Sequence, residues 1–249
     1  VLLEIDVDGH RSGIRPDGAE LLPAAAALAD GAELAGVLTH AGDSYECKST
    51  AEIEAAAEAE RAGIVLAAER LRAAGHTVKI VSAGSTPTLM FAKDETGVTE
   101  MRAGVCALFD LFMSNVGACT VDDIAGSVLA TVIGRQVDKR RVILDCGFLA
   151  LSRDRGTARQ AHDYGYGLVC GIDGKPLADG TIVLTGTNQE HGILTLPENS
   201  PLTQEDFPIG RRLRILPNHA CPTAAPYASL VLIENGRVAE VLDHVRGWD

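Results

Sequence analysis

The stretch His76-Thr77-Val78-Lys79-Ile80-Val81-Ser82-Ala83-Gly84-Ser85-Thr86-Pro87-Thr88 decides the fold. An apolar run over residues 76–82 passes through a Gly-Ser-Thr-Pro turn straight into a short helix. Strand, turn and helix in that order make one βα unit. The same rhythm extends outward on both sides, up to about residue 115. Residues 1–7 form an apolar run, and residues 21–28 are Ala-rich and helical. Residues 34–39 form a second run, followed by a long helix over 50–74, rich in Ala, Glu and Arg and stopped by Gly75. After the quoted stretch comes a fourth run, 98–101, and residues 105–113 are expected to be its helix. Strands alternating with helices predict a parallel sheet wrapped by helices.

Four βα units make half of an eight-stranded barrel, and half a barrel leaves two open edges. The chain starts inside an apolar run, so four further units are expected to precede Val1. An open doubly wound sheet is the alternative. Beyond about residue 123 the texture changes. Residues 127–136 and 141–144 are β-rich. Gly, Asp and Pro then punctuate short runs at 181–185, 192–196, 212–216, 230–233 and 238–242, with an Asn235-Gly236 hairpin turn. The expected fold class is α/β plus β: the second half of a (β/α)8 barrel over 1–123, then an antiparallel β domain over 124–249.

Composition narrows the function classes. The chain has 249 residues, 46% hydrophobic and 22% charged, a balance sufficient for a real core. Its net charge is -12, and its densest basic run is only Lys139-Arg140-Arg141. Nucleic-acid backbones and anionic membranes demand clustered Lys and Arg, so neither partner is expected. No apolar run approaches a membrane span. The 6 cysteines are scattered, which predicts a reduced, cytoplasmic chain.

Several motifs carry chemistry. Gly84-Ser85-Thr86 between a strand and a helix presents backbone N–H groups, two hydroxyls and a helix N-terminus, which suit a phosphate. The same residues also make an ordinary Ser/Thr cap followed by proline. Glu100-Met101-Arg102-Ala103-Gly104 ends the next strand and would face the same rim; Arg102 there either serves the site or pairs with Glu100. Glu4, Asp6 and Asp8 alternate along the first run, so they are expected to share one face, with Arg11 as counter-charge. Thr39-His40 and Ser44-Tyr45 follow the second run onto the same rim. Pro217-Asn218-His219-Ala220-Cys221-Pro222 is biased toward an extended conformation by its prolines. In an extended chain His219 and Cys221 point the same way. Imidazole and thiolate together suit zinc, and two ligands leave positions open for water and substrate. A buried Cys in a capped loop is the plainer reading. Glu190, His191 and the segments 145–147 and 150–154 read as mainly structural, with Glu190 and His191 as candidate supporting or substrate-binding groups.

As an ordered set, residues 4–13, 39–45, 84–86, 100–104, 145–154, 190–192 and 218–221, closing on Arg246-Gly247-Trp248, resemble the D-serine dehydratase and D-threonine aldolase group. The resemblance implies an alanine-racemase-like barrel with a β domain, and pyridoxal 5'-phosphate as cofactor. It implies a divalent metal, zinc first, with manganese, cobalt or magnesium as alternatives. It places Arg11 at the cofactor's pyridine nitrogen and His40 and Tyr45 in the cofactor pocket. Gly84, Ser85, Thr86 and Gly104 fall at the phosphate, and His219 and Cys221 on the metal as the catalytic pair. His-x-Cys in this group goes with dehydratases, and His-x-Asp more often with aldolases. The implied activity is therefore loss of water from a D-3-hydroxy amino acid, D-serine or 3-hydroxyaspartate, giving a 2-keto acid and ammonia. The implied assembly is a homodimer.

One departure stands out. The group carries its cofactor on a lysine of the first barrel strand. The lysines here are Lys48, Lys79, Lys93, Lys139 and Lys175, none in a matching motif. That lysine is expected upstream of Val1. Two other readings remain open beside retro-aldol cleavage: a non-catalytic cofactor-binding protein, and a piece stable only with a partner chain.

Overall fold

The computed structural model describes residues 1–28 and 31–245. The Arg246-Gly247-Trp248 motif lies outside the described residues. The chain forms two compact units, Val1–Cys106 with Val116–Ala118, and Ala107–Asn115 with Cys119–Asp249.

In the first unit, β1 (Leu2–Ile5), β2 (Gly36–Thr39), β3 (Ile80–Ala83) and β4 (Glu100–Met101) pair in parallel in sequence order. Helices α1 (Leu21–Leu28), α2 (Thr50–Ala73) and α3 (Thr86–Phe91) fill the connections. The sheet's Ile5, Val37, Val81 and Ala83 pack against Leu21 and Ala25 of α1 and Ile64, Ala67, Ala68 and Leu71 of α2. Helix α2 follows from its Ala- and Glu-rich sequence and its termini. Ser49 caps it by accepting the Glu52 N–H at 3.3 Å, and Arg70 and Arg72 complement the dipole in its last turn. Gly36 admits no side chain, because a Cβ there would stand 2.0 Å from the Ile80 carbonyl oxygen of the neighbouring strand.

Two expectations fail in this unit. Strand β1 stops at Ile5, so Asp6 and Asp8 sit in a turn and share no strand face with Glu4. The chain doubles back through Gly13 (φ +119°) until Ile14 bridges to Ile5. Turn amides and local side chains satisfy these carboxylates. Asp6 accepts the Gly9 N–H at 2.6 Å, Asp8 accepts the His10 and Asp43 N–H groups, and Glu4 accepts the Ser12 hydroxyl. The counter-charge on Asp6 is Arg15, at 3.8 Å, rather than Arg11.

The second unit holds a six-stranded antiparallel sheet. Its elements in chain order are α4 (Leu111–Asn115), β5 (Val128–Gln136), β6 (Arg141–Leu144), α5 (Phe148–Leu151), β7 (Leu168–Cys170), β8 (Gly186–Thr187), β9 (Gly192–Thr195), β10 (Arg212–Leu216) and α6 (Ala220–Ala224). The strand order is β7-β10-β5-β6-β9-β8. Alternation places Ala130 and Val132 of β5 inside, with Leu129 and Ile133 out. They join Val142, Leu144, Leu194, Leu213, Ile215 and Phe207 in one core. Strands β11 (Ser229–Glu234) and β12 (Arg237–Asp243) form a separate hairpin, turned at Asn235 and Gly236, both at positive φ.

Here too the structure corrects the pattern. Residues 105–113 do not form one helix. Phe109 at φ +52° breaks the segment, and Asp110 restarts it by accepting the Met113 N–H at 2.8 Å. Residues 181–185 contribute only isolated bridges, from Val183 to Leu168 and from Leu184 to Gly165, and the regular strand is Gly186–Thr187. No helix among the described residues is long and apolar enough to cross a membrane.

Candidate functional site

Each unit gathers its own cluster of chemistry-bearing residues. In the first, the loops following β2 and β3 meet. Ser85 caps α3, accepting the Thr88 N–H at 3.3 Å, and its hydroxyl lies 3.0 Å from that of Ser44. The His40 Nδ1–H donates to the Gly84 carbonyl at 3.3 Å, and the His40 and Tyr45 rings stand 5.8 Å apart. Burial pushes His40 below its usual range against the opposing pull of that carbonyl bond. Arg11 stands exposed on the returning loop, close enough for its charge to act on His40.

Gly84 (φ +117°) lies flat against the next strand's end. A Cβ on it would meet the Arg102 carbonyl oxygen at 2.7 Å and the Arg102 nitrogen at 2.9 Å. Arg102 does not pair with Glu100. Its guanidinium donates to the Ser82 hydroxyl and the Thr39 carbonyl, tying the ends of β2 and β3 together, and Ser82 in turn donates to Glu100 at 2.5 Å. The Thr86 hydroxyl is buried and has no hydrogen-bond partner among the described residues. Ahead of Gly104 is open space.

Glu60 belongs to this cluster and was missed in the sequence. It is 1% exposed, and its Oε1 accepts the Ala41 N–H at 2.9 Å beside His40. Its signal was present: Ile53, Ala57, Glu60, Ile64, Ala67 and Leu71 form the buried stripe of α2, and only Glu60 is polar. A carboxylate at a core position needs a partner, and the turn after β2 provides one.

In the second unit the cluster surrounds His219. The expected extended geometry does not hold: His219 is the extended N-cap of α6, and Cys221 lies inside the helix's first turn. The two side chains nevertheless lie close enough for Cys221 to favour charge on the ring. Nδ1 is 2.7 Å from Asp154 Oδ2, which leaves Nε2 as the open ring nitrogen. Burial opposes charge on the ring. The Asp154 bond and the Cys221 contact outweigh it and push His219 up to about 10. The same bond holds Asp154 below the usual carboxylate range despite its partial burial.

Two further residues frame the pair. The Asn218 side chain spends both its polar atoms, accepting the Thr157 hydroxyl and donating to the Asp154 and Gly165 carbonyls, so it pins the loop carrying Asp154 beside His219. Asp110, 0% exposed, accepts the Ala220 N–H at 2.9 Å and sets the start of α6. Burial pushes its carboxyl up, against those amide bonds. Asp110 was not singled out in the sequence, and Asp154 fell in the segment 150–154 that was read as mainly structural. Glu190 and His191 sit exposed in the turn between β8 and β9, where the Asn188 N–H donates to the His191 carbonyl. No three His, Cys, Asp or Glu side chains among the described residues cluster as a full metal shell. His219 and Cys221 are therefore a two-donor arrangement.

A parallel βα sheet followed by an antiparallel sheet unit defines an alanine-racemase-like fold, and comparison with known proteins agrees. Residues 1–111 match the alanine racemase N-terminal domain, and residues 125–233 match the putative serine dehydratase domain. The chain thus carries an alanine racemase-like domain followed by a serine dehydratase-like domain. It is 51% identical over 252 residues to D-threo-3-hydroxyaspartate dehydratase of Delftia sp. (strain HT23), covering 100% of this chain and 66% of that protein. It is 29% identical over 244 residues to D-serine dehydratase of Dictyostelium discoideum, covering 94% of this chain and 61% of that one. A solved D-threo-3-hydroxyaspartate dehydratase, a cysteine-to-alanine variant in the metal-free form, superposes with a TM-score of 0.91 at 51% identity, over 100% of this chain and 66% of the other. The chain thus spans just under two thirds of the length of these relatives.

Proposed function

We propose that this chain carries the cofactor-phosphate loop and the metal pair of a pyridoxal phosphate- and divalent-metal-dependent dehydratase. Its substrate would be a D-3-hydroxy amino acid, with D-3-hydroxyaspartate ahead of D-serine, and its products a 2-keto acid and ammonia. The observation that carries the reading is the His219 ring, held by Asp154 through Nδ1 beside Cys221. The 51% identity to a D-threo-3-hydroxyaspartate dehydratase supports this substrate class. The further elements of the reading are zinc as the metal, a cytoplasmic homodimer, and residues 1–123 as the second half of a (β/α)8 barrel ahead of a β domain over 124–249.

The residues fit both groups. The orphaned Thr86 hydroxyl, the flat Gly84 backbone and the open space at Gly104 suit a phosphate. An imidazole nitrogen and a thiolate suit a borderline-soft cation, and the carboxylate behind the imidazole is the usual support for such a ligand. When bound, the cofactor supplies an electron sink that acidifies the substrate's α-proton, and the metal supplies Lewis acidity at the leaving hydroxyl. Arg11 would face the pyridine nitrogen, where a guanidinium keeps its own proton. His40 and Tyr45 would line the cofactor pocket, with the His40 Nδ1 proton committed to the Gly84 carbonyl. His219 must release its ring proton for Nε2 to serve as a donor, so metal affinity rises with pH. All five lysines are exposed, with Lys79 paired to Glu33 and Lys93 to Glu54, and none of them is proposed as the cofactor's amine partner.

The test is product analysis of the protein supplied with pyridoxal phosphate and zinc. Ammonia and oxaloacetate from D-3-hydroxyaspartate support the dehydratase. Glycine with an aldehyde would replace it with the aldolase, and cofactor binding without turnover would leave a carrier. The phosphate loop has its own test in Gly84→Ala. The new Cβ at positive φ collides with backbone, a strain of roughly 1–3 kcal/mol. We expect pyridoxal phosphate affinity to fall about tenfold to a hundredfold by absorbance titration. Unchanged affinity would remove the loop from the site.

A further inference from the structure

We infer that Asp154 is the positioning residue of the metal pair: by accepting the Nδ1 proton of His219, it fixes the tautomer that leaves Nε2 for the metal. This rests on the metal reading above. The geometry is specific. Asp154 uses both carboxylate oxygens on different partners, Oδ2 on His219 Nδ1 at 2.7 Å and Oδ1 on the Gly156 N–H at 2.7 Å. Its backbone is held separately, since its carbonyl accepts from Asn218 Nδ2 at 3.1 Å. Asn218 is the residue preceding His219, so one side chain locks the carboxylate's loop to the imidazole's own strand end. The imidazole is left with one orientation and one free nitrogen.

A neutral imidazole donates from one nitrogen and accepts at the other. A carboxylate at Nδ1 accepts only, so Nδ1 keeps its proton and Nε2 presents its lone pair. Asp154→Asn reverses this without emptying the site. The Gly156 N–H is a fixed donor and claims the asparagine carbonyl oxygen. The asparagine NH2 then faces Nδ1, which must become the acceptor. The ring proton moves to Nε2, where it blocks the metal. The loop bond to Gly156 and the side chain's volume are both kept.

The experiment titrates cobalt(II) into the protein, with the sulfur-to-cobalt absorption band as readout. Wild type is expected to show a band that Cys221→Ala abolishes. Asp154→Asn is expected to bind cobalt about tenfold to a hundredfold more weakly, the range of losses when such supporting partners are removed. Its near-ultraviolet circular dichroism should match wild type. Asp154→Ala, which removes the acceptor altogether, should weaken binding in the same direction. Equal cobalt affinity in wild type and Asp154→Asn overturns the positioning role while leaving the metal pair standing. Weaker binding together with altered circular dichroism assigns Asp154 a merely structural role and also overturns it. Absence of a Cys221-dependent band in wild type overturns the metal reading itself, and this inference with it.

Discussion

Alanine at His219 or Cys221 is expected to lower turnover of D-3-hydroxyaspartate by about a thousandfold or more and to strip the bound metal. The size follows from what the site has to lose. Lewis-acid stabilisation of a leaving group contributes several kcal/mol, and about 4 kcal/mol is a thousandfold in rate. On the proposed reading, His219 and Cys221 are the two donors among the described residues, so removing either leaves a single attachment point there. The variants differ in what remains. Cys221→Ala keeps the His219–Asp154 bond at 2.7 Å, and its fold should be undisturbed. His219→Ala leaves the partly buried Asp154 carboxylate without its imidazole, so a modest loss of stability should accompany the loss of metal. Metal analysis alongside ammonia release decides the matter. Metal content and turnover that both survive Cys221→Ala would remove the pair from catalysis.

Why the pair was readable while its support was not follows from distance along the chain. His219 and Cys221 are two residues apart, and their chemistry shows in residue types alone. The geometry first assigned to them was wrong, since an N-cap and a first-turn residue replace an extended i, i+2 pair. Their proximity survives, since Cys221 still acts on the charge of the ring. Asp154 lies 65 residues before His219, and only the folded loop, held by Asn218, brings it there. Asp110 is 110 residues from the amide it accepts. The βα rhythm of the first unit was legible because each strand and helix is a local pattern. Strand β7 was not, since Leu168-Val169-Cys170 is buried throughout and offers no alternation. Glu60 stood in plain view as the one acid of an apolar stripe. Periodicity marks such a residue as anomalous, but only the fold shows that the Ala41 amide is waiting for it.

Phe207 shows how the core of the second unit bears on the site. Its ring is 0% exposed and packs among Val132, Leu144, Leu213 and Ile215, with the Arg211 guanidinium 5.2 Å from the ring centre. Strand β10 begins five residues later and runs straight into Pro217, Asn218 and His219. The carbonyls of Pro217 and Asn218 each accept an amide from the start of α4 at 3.1 Å, so the strand's exit is fixed by hydrogen bonds as well as packing. Truncating a buried Phe to Ala costs about 3–5 kcal/mol, because the surrounding side chains close the cavity only in part. We therefore expect Phe207→Ala to lower the unfolding free energy from urea titration by that much, and Phe207→Leu by clearly less. Cobalt affinity below the transition should fall far less than in Asp154→Asn, because the hydrogen bonds that aim His219 are untouched by the cavity. Two opposite results would count against this division. A loss under about 1 kcal/mol would mean that the core collapses around the gap, below the usual range. A metal loss as large as that of Asp154→Asn would mean that the imidazole is aimed by the packing of β10 rather than by the carboxylate behind it.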